Sequence, residues 1–144
     1  PDGSWTPGER RRGTVTVTTL DKDLADALLA AVREVFETMV MMPPKEIVQV
    51  DAGPAALHGE VIGVLGFSGT KAGALALSTS ADLAKRICAS MLGMTPEEIG
   101  SNQEVADSFG EVANMITGNF KNAWIARGNK MDLAEERQVL FLAF

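Results

Sequence analysis

The segment SNQEVADSFGEVANMITGNFKNAWIAR, residues 101–127, decides the fold because its pattern predicts one long amphipathic helix. Ser101 and Glu104 have the Ser-x-x-Glu spacing of a capping box, and Gly128-Asn129 follows as a stop signal. On a helical wheel the apolar side chains share one arc about 100° wide, which is typical of a face that packs on a core. These side chains are Val105, Phe109, Val112, Ala113, Ile116 and Phe120. The sequence therefore predicts a helix with one buried and one exposed face.

The exposed face of this helix carries a narrow line of polar and small residues. At about 100° per residue, four residues fall within about 60° of one another. They are Asp107, Glu111, Asn114 and Gly118, and we call them the polar stripe. Two carboxylates and one amide are thus predicted to lie in line on the side opposite the core.

Three features separate the polar stripe from its ordinary alternative, a solvated helix face. No Lys or Arg lies between residues 104 and 120, whereas exposed helices usually mix charges for i,i+4 pairing. Asn114 is a poor helix former at a mid-helix position. Gly110 and Gly118 each cost about 1 kcal/mol relative to Ala and leave room for another surface to approach. We interpret the face as a docking or catalytic surface.

Outward from this helix, the rest of the chain mixes strand and helix patterns. Helices are predicted at residues 21–42, ended by Pro43-Pro44, and at residues 81–92, between Ser80 and Gly93, with a short turn from Thr95 to Gly100. Strands are predicted at residues 14–18, 46–51, 59–67, 72–78 and 138–144, and residues 59–78 form a hairpin. Gly63 and Gly66 inside the hairpin indicate bulges or close helix packing.

These elements predict the α+β class. The two long helices, residues 21–42 and 101–127, are expected to pack on one face of a mostly antiparallel sheet. Residues 14–144 form one domain in this prediction, and residues 1–13, rich in breakers and charges, form a flexible N-terminal tail.

Composition narrows the classes of function. The chain has 144 residues and a net charge of −6, which argues against nucleic-acid binding. A single cysteine, Cys88, excludes an internal disulfide, and a single histidine, His58, excludes a zinc site with two histidines. His58 is expected to be a surface or hairpin residue and Cys88 a small buried one. No apolar run is long enough for a membrane span, and we expect a reducing cytoplasm and no metal site on this chain.

The spacing Asp107-x3-Glu111-x2-Asn114 resembles the [Asp/Ser]-x3-Glu-x2-Asn signature of the CheC/CheX/FliY chemotaxis phosphatases. The order of elements before it is also similar, with the hairpin VIGVLGFSGTKAGALALS and then an Ala/Leu helix ending in MLGM. The resemblance covers about residues 20–130 and is greatest to CheX. The first helix carries Glu34-Val35-Phe36-Glu37, with Glu where the second site of CheC has Asn. After Gly128 the chain departs from the family, because a proline-containing strand pattern is missing.

The resemblance implies hydrolysis of the aspartyl phosphate of a CheY-like receiver domain. It implies that Asn114 orients the attacking water and that Glu111 contacts the receiver's lysine. Asp107, Gly110 and Gly118 are expected to take part in docking. The Mg²⁺ is expected on the receiver, with no cofactor on this chain. The resemblance and the apolar terminal strand together predict a homodimer.

Two other classes of function stay open at this point. The first is a CheX-like adaptor that binds a receiver or a flagellar-switch partner without hydrolysing anything. The second is a hydrolase that uses Asp107 and Glu111 as acid and base, which requires a closed pocket.

Overall fold

The computed structural model describes residues 14–17, 21–49, 59–135 and 138–141. Three α-helices are present in this part of the chain: α1 (Lys22–Thr38), α2 (Ala81–Leu92) and α3 (Asn102–Ala126). A 3-10 turn spans Pro96–Glu98. The strands are β1 (Thr14–Val17), β2 (Glu46–Gln49), β3 (Val61–Gly69), β4 (Gly73–Thr79), β5 (Met131–Leu133) and β6 (Gln138–Phe141).

The main sheet is built around β3 and is antiparallel throughout. β4 pairs with β3 along one edge, from Val61 opposite Thr79 to Phe67 opposite Gly73. β5 and β6 pair with β3 one after the other and also run antiparallel to it. β1 and β2 form a separate parallel pair. The predicted α+β class and mostly antiparallel sheet are confirmed.

α3 is the element that joins the two layers. It packs along α1 and crosses the sheet at β3, where a Cβ added to Gly63 would lie 3.5 Å from atoms of Phe109 and Ala113. The Phe120 ring meets the Phe67 ring of β3 edge to face, with centroids 5.7 Å apart. Gly63 therefore serves close helix packing, as one of its two sequence interpretations proposed.

Each helix begins at the polar residue that the sequence marked. Asp21 Oδ1 accepts a hydrogen bond from the Leu24 amide at 2.9 Å, and Ser80 Oγ accepts one from Leu83 at 3.1 Å. Ser101 Oγ accepts one from the Glu104 amide at 3.3 Å. These side chains satisfy amide groups that have no partner within the first turn of a helix. α2 ends at Gly93, which has a left-handed φ of 68°.

The predicted end of the first helix is wrong. α1 stops at Thr38, before Pro43-Pro44, because Met41 adopts a left-handed φ of 61° and turns the chain. The Met42 amide then donates to the Phe36 carbonyl at 2.9 Å, as in helix ends that close with a left-handed residue. The residue before a proline disfavours helical backbone, which also keeps the helix from reaching the prolines.

The structure adds a strand that the sequence did not indicate and shifts the hairpin. β5 has only three residues, which are too few for a strand pattern to be recognised in the sequence. β3 starts at Val61 and extends through Gly69 into the predicted turn, where Gly69 has a φ of 131°. The tail 1–13, His58, and the predicted strand ends at residues 18, 50–51 and 142–144 lie outside the described residues.

Candidate functional site

The polar stripe runs along the outer surface of α3. Asp107 and Glu111 are exposed, and Asn114 and Gly118 are partly buried. At a rise of about 1.5 Å per residue, the stripe is about 16 Å long. It faces away from the packed side chains of the same helix, which are buried against α1, α2 and the sheet. The structure therefore brings these four residues together on one surface.

Asp107 is held by a neighbour that sequence reasoning missed. The Gln103 side-chain amide donates to Asp107 Oδ1 at 2.8 Å, one turn earlier on the same helix. A Gln–Asp pair at i,i+4 is a known stabilising arrangement, so the spacing was a readable signal. The contact fixes one carboxylate oxygen and leaves the other open to a partner.

Glu111 and Asn114 have no such restraint. Among the residues that the structure describes, neither side chain makes a hydrogen bond or an ion pair. On the buried side of α3, by contrast, the Thr117 hydroxyl donates a hydrogen bond to the Ala113 carbonyl at 2.6 Å. The carboxylate and the amide are therefore available to groups outside the chain.

The two glycines near the stripe differ in their surroundings. Gly110 is buried, which differs from the open place expected beside the stripe. It lies about 60° from Asp107 around the helix, at the border of the packed face. At Gly118 a Cβ would meet nothing within 4 Å. Only Gly118 therefore leaves an open position on the outer surface, and the docking role expected for Gly110 stays a prediction.

The site is a surface and not a pocket. Two depressions of about 280 and 320 Å³ lie elsewhere, one between the starts of α2 and α3 and one beside β3 and β5. Neither is lined by Asp107, Glu111 or Asn114. The acid–base hydrolase alternative requires water to be excluded around its carboxylates, and the exposed positions of Asp107 and Glu111 argue against it.

Within the described residues, no group of three or more His, Cys, Asp and Glu side chains is placed to hold a metal ion. None of the described helices has the length and apolar character that a membrane crossing requires. Cys88, expected to be buried, is buried, with its thiol directed at the Glu104 carbonyl at 3.5 Å.

Several solved structures share this fold, and two of them are chemotaxis proteins named CheX. A chemotaxis protein CheX from Desulfovibrio desulfuricans has a TM-score of 0.67 and 25% identity, with 83% of this chain and 77% of that chain covered. A chemotaxis protein CheX from Vibrio vulnificus has a TM-score of 0.67 and 29% identity, with 86% and 78% covered. The fold and the exposed Glu-x2-Asn surface thus define a CheC/CheX-like chemotaxis protein. No curated protein matches the chain.

A third structure shows likeness of fold alone. It is a complex of CheX, CheY, BeF₃ and Mg²⁺ from Borrelia burgdorferi, with a TM-score of 0.62 and 19% identity, and 81% of this chain and 75% of that chain are covered. The sequence match is more specific. The family model of the chemotaxis phosphatase CheX matches residues 61–136, which are more than half of the chain. The chain belongs to the CheX family.

Two glycine substitutions test whether the fold itself needs the open position in the polar stripe. Gly118→Ala should stabilise the protein by about 0.5–1 kcal/mol, because Ala is the better helix former and its Cβ meets nothing. Gly128→Ala is the matched control, since it also meets nothing, but its φ of 85° is unfavourable for Ala. Gly128→Ala should therefore destabilise. Urea denaturation measures the free energy of unfolding of both variants. A Gly118→Ala variant that is less stable than the parent would show that the fold requires this glycine.

Proposed function

We propose that this chain removes the phosphoryl group from the aspartyl phosphate of a CheY-like receiver domain. The observation that carries the proposal is the position of Glu111 and Asn114 on the outer surface of α3, where Glu111 is exposed, Asn114 is partly buried and neither side chain is paired with a described residue, in a member of a phosphatase family. The B. burgdorferi complex supports a partner of this class, because it joins a CheX of the same fold to CheY.

Asn114 is proposed to position the attacking water. Its amide can donate one hydrogen bond and accept another, so it can hold a water oxygen in line with the phosphorus and the aspartyl oxygen that leaves. A neutral amide does this without adding negative charge beside the phosphoryl group. The catalytic contribution is then positioning, which requires no pocket on this chain.

Glu111 is proposed to bind the lysine of the receiver's active site. A carboxylate that accepts a hydrogen bond from an ammonium group forms a short, charge-assisted contact. Glu111 lies one turn before Asn114, so this contact would fix α3 at the distance from the phosphoryl group that Asn114 needs.

The remaining stripe residues are proposed to dock the partner. Asp107, oriented by Gln103, would bind a donor at the edge of the interface, and Gly118 would admit the partner backbone or side chains. Gly110, although buried, stays in the proposal as the small residue between Asp107 and Asn114. The Mg²⁺ is proposed to stay on the receiver, with the reaction taking place in the cytoplasm and no cofactor held by this chain.

An adaptor that binds a phosphorylated receiver without hydrolysis is the second candidate. It would need the docking residues but would not need Asn114. The presence of both Glu111 and Asn114 on one exposed face favours the phosphatase.

Asn114→Ala separates the two functions. The substitution should remove most of the acceleration of receiver dephosphorylation, on the order of 100-fold or more, since a lost positioning group has effects of this size. Its stability should be unchanged or slightly higher, because Ala is the better helix former. Asn119→Ala, a partly buried asparagine of α3 off the polar stripe, is the matched control and should keep its activity. The measurement is the rate of phosphate loss from a phosphorylated receiver. A variant as fast as the parent would contradict the role of Asn114.

Glu111→Ala should lower activity partly through weaker docking. A higher receiver concentration should therefore recover part of the rate, which appears as a rise in KM together with a fall in kcat. Glu97→Ala is the control, because it removes a carboxylate that is also exposed but lies outside α3. Asp107→Ala should be milder than Glu111→Ala. A Glu111→Ala variant with unchanged KM would contradict the docking role.

We also propose that two copies associate through a sheet edge. Among the described residues β4 pairs only with β3 and lies at an edge of the main sheet, and its first five residues, GALAL, carry no charge. Such an edge favours pairing with another strand. Ala76→Lys adds a charge at an exposed position of β4 and should increase the monomer fraction. Light scattering measures the molar mass of both chains in solution. A monomer mass for the parent chain at micromolar concentration would contradict the proposal.

A further inference from the structure

The polar stripe is negatively charged, which is unfavourable for binding a phosphorylated partner. Asp107 and Glu111 are both acidic and exposed, and α3 carries no cation before Lys121. An aspartyl phosphate brings further negative charge to this surface. Repulsion between like charges opposes binding, and a cation on this chain, in addition to the receiver's own lysine and Mg²⁺, would reduce it.

Lys121 is the cation that the geometry of α3 brings to this position. It lies seven residues, or two helical turns, after Asn114, and the two differ by only about 20° around the helix. Their Cα atoms are therefore about 10.5 Å apart. Side chains of a helix lean toward its N-terminus, so the Lys121 stem, which reaches about 6 Å when extended, can be directed toward Asn114.

The space between the two residues is open. Gly118 lies between Lys121 and Asn114 on the outer surface, and no atom lies within 4 Å of where its Cβ would be. With Lys121 extended in this direction, its ammonium would lie about 4.5 Å, measured along the helix axis, from the level of the Asn114 Cα atom. A phosphoryl group bound beside Asn114 would place one of its oxygens within hydrogen-bond reach of this ammonium.

Lys121 is also not engaged elsewhere. Four other cations of the described chain are in ion pairs at 2.7–3.7 Å: Lys22 with Asp26, Arg33 with Glu37, Lys71 with Asp21, and Arg86 with Asp82. Lys121 has no ion pair or side-chain hydrogen bond to any described residue. Its ammonium therefore loses no hydrogen bond or ion pair to the described residues when it binds a partner.

From these observations we propose that Lys121 binds an oxygen of the receiver's aspartyl phosphate, across the opening left by Gly118. The proposal rests on the proposed function for its partner and adds a phosphoryl-binding residue to that surface. Lys121 would make the chain prefer the phosphorylated receiver over the unphosphorylated one. It would also offset the charge that spreads over the phosphoryl oxygens during transfer.

The test compares affinities for a CheY-type receiver with and without beryllofluoride and Mg²⁺, the phosphoryl mimic found in the B. burgdorferi complex. The variant is Lys121→Gln in an Asn114→Ala background, so that hydrolysis does not enter the measurement. Lys130→Gln is the matched control, because it makes the same charge change just beyond the end of α3. Circular dichroism confirms that each variant is folded.

We call the receiver with beryllofluoride and Mg²⁺ loaded and the receiver without them unloaded. Lys121→Gln should lower the ratio of the affinity for the loaded receiver to the affinity for the unloaded receiver by about tenfold. Lys121→Arg should restore most of this ratio, because the guanidinium keeps the charge. Lys130→Gln should leave the ratio unchanged. If Lys121→Gln weakens both affinities equally, Lys121 is a general docking residue and the proposal is overturned. An unchanged ratio overturns it as well.

The same experiment distinguishes this proposal from the proposed function. If the parent chain binds a loaded receiver but never shortens the lifetime of its phosphate, the phosphatase function fails, and the affinity ratio still decides the role of Lys121. If no loaded receiver binds the parent chain, both proposals are overturned.

Discussion

The packing of one face of α3 on β3 and α1 is the constraint on which the rest of the structure depends. Gly63 lets Phe109 and Ala113 approach the sheet, and Phe120 is held against Phe67. Because about half of the helix circumference is committed to this contact, the rotation of α3 about its axis is fixed. The opposite side of α3, which carries the polar stripe, then faces outward independently of its own residue types. The alignment of Glu111 and Asn114 is thus a consequence of core packing several ångströms away.

The parts of the fold that depend on repeated, strong signals were predictable from the sequence. α3 combines an N-cap at Ser101 with an apolar period of many residues, and its position and buried face are as predicted. The end of α1 was not predictable, because Met41 adopts a left-handed backbone that usually marks glycine. β5 was missed because three residues are too few for a period, and its pairing with Phe67–Gly69 is set by tertiary contact. The burial of Gly110 depends on the exact rotation of α3 and is beyond the precision of a helical wheel.

The residues of the candidate site also divide into those that could be predicted from the sequence and those that could not. Asp107, Glu111 and Asn114 could be found from their spacing, and the family resemblance gave that spacing a chemical meaning. The spacing of Gln103 and Asp107 was also a readable signal, although it was missed, whereas Lys121 could not be found because its relevance depends on its neighbours in space. Gln103 is bonded to Asp107, whereas Lys121 has an ammonium without a partner among the described residues and an open position at Gly118 before it. Such availability is a property of three-dimensional neighbours and not of residue type.

In the proposed function, α3 contributes position and charge, and the partner contributes the reacting bond. The central claim is that α3 accelerates hydrolysis on a bound receiver, beyond binding it. The most direct measurement is the rate of phosphate loss from one phosphorylated receiver as the concentration of this chain is raised well above that of the receiver. The account predicts a rate that rises and then saturates far above the receiver's own rate of dephosphorylation. Saturable binding with a rate that stays at the receiver's own value would contradict it.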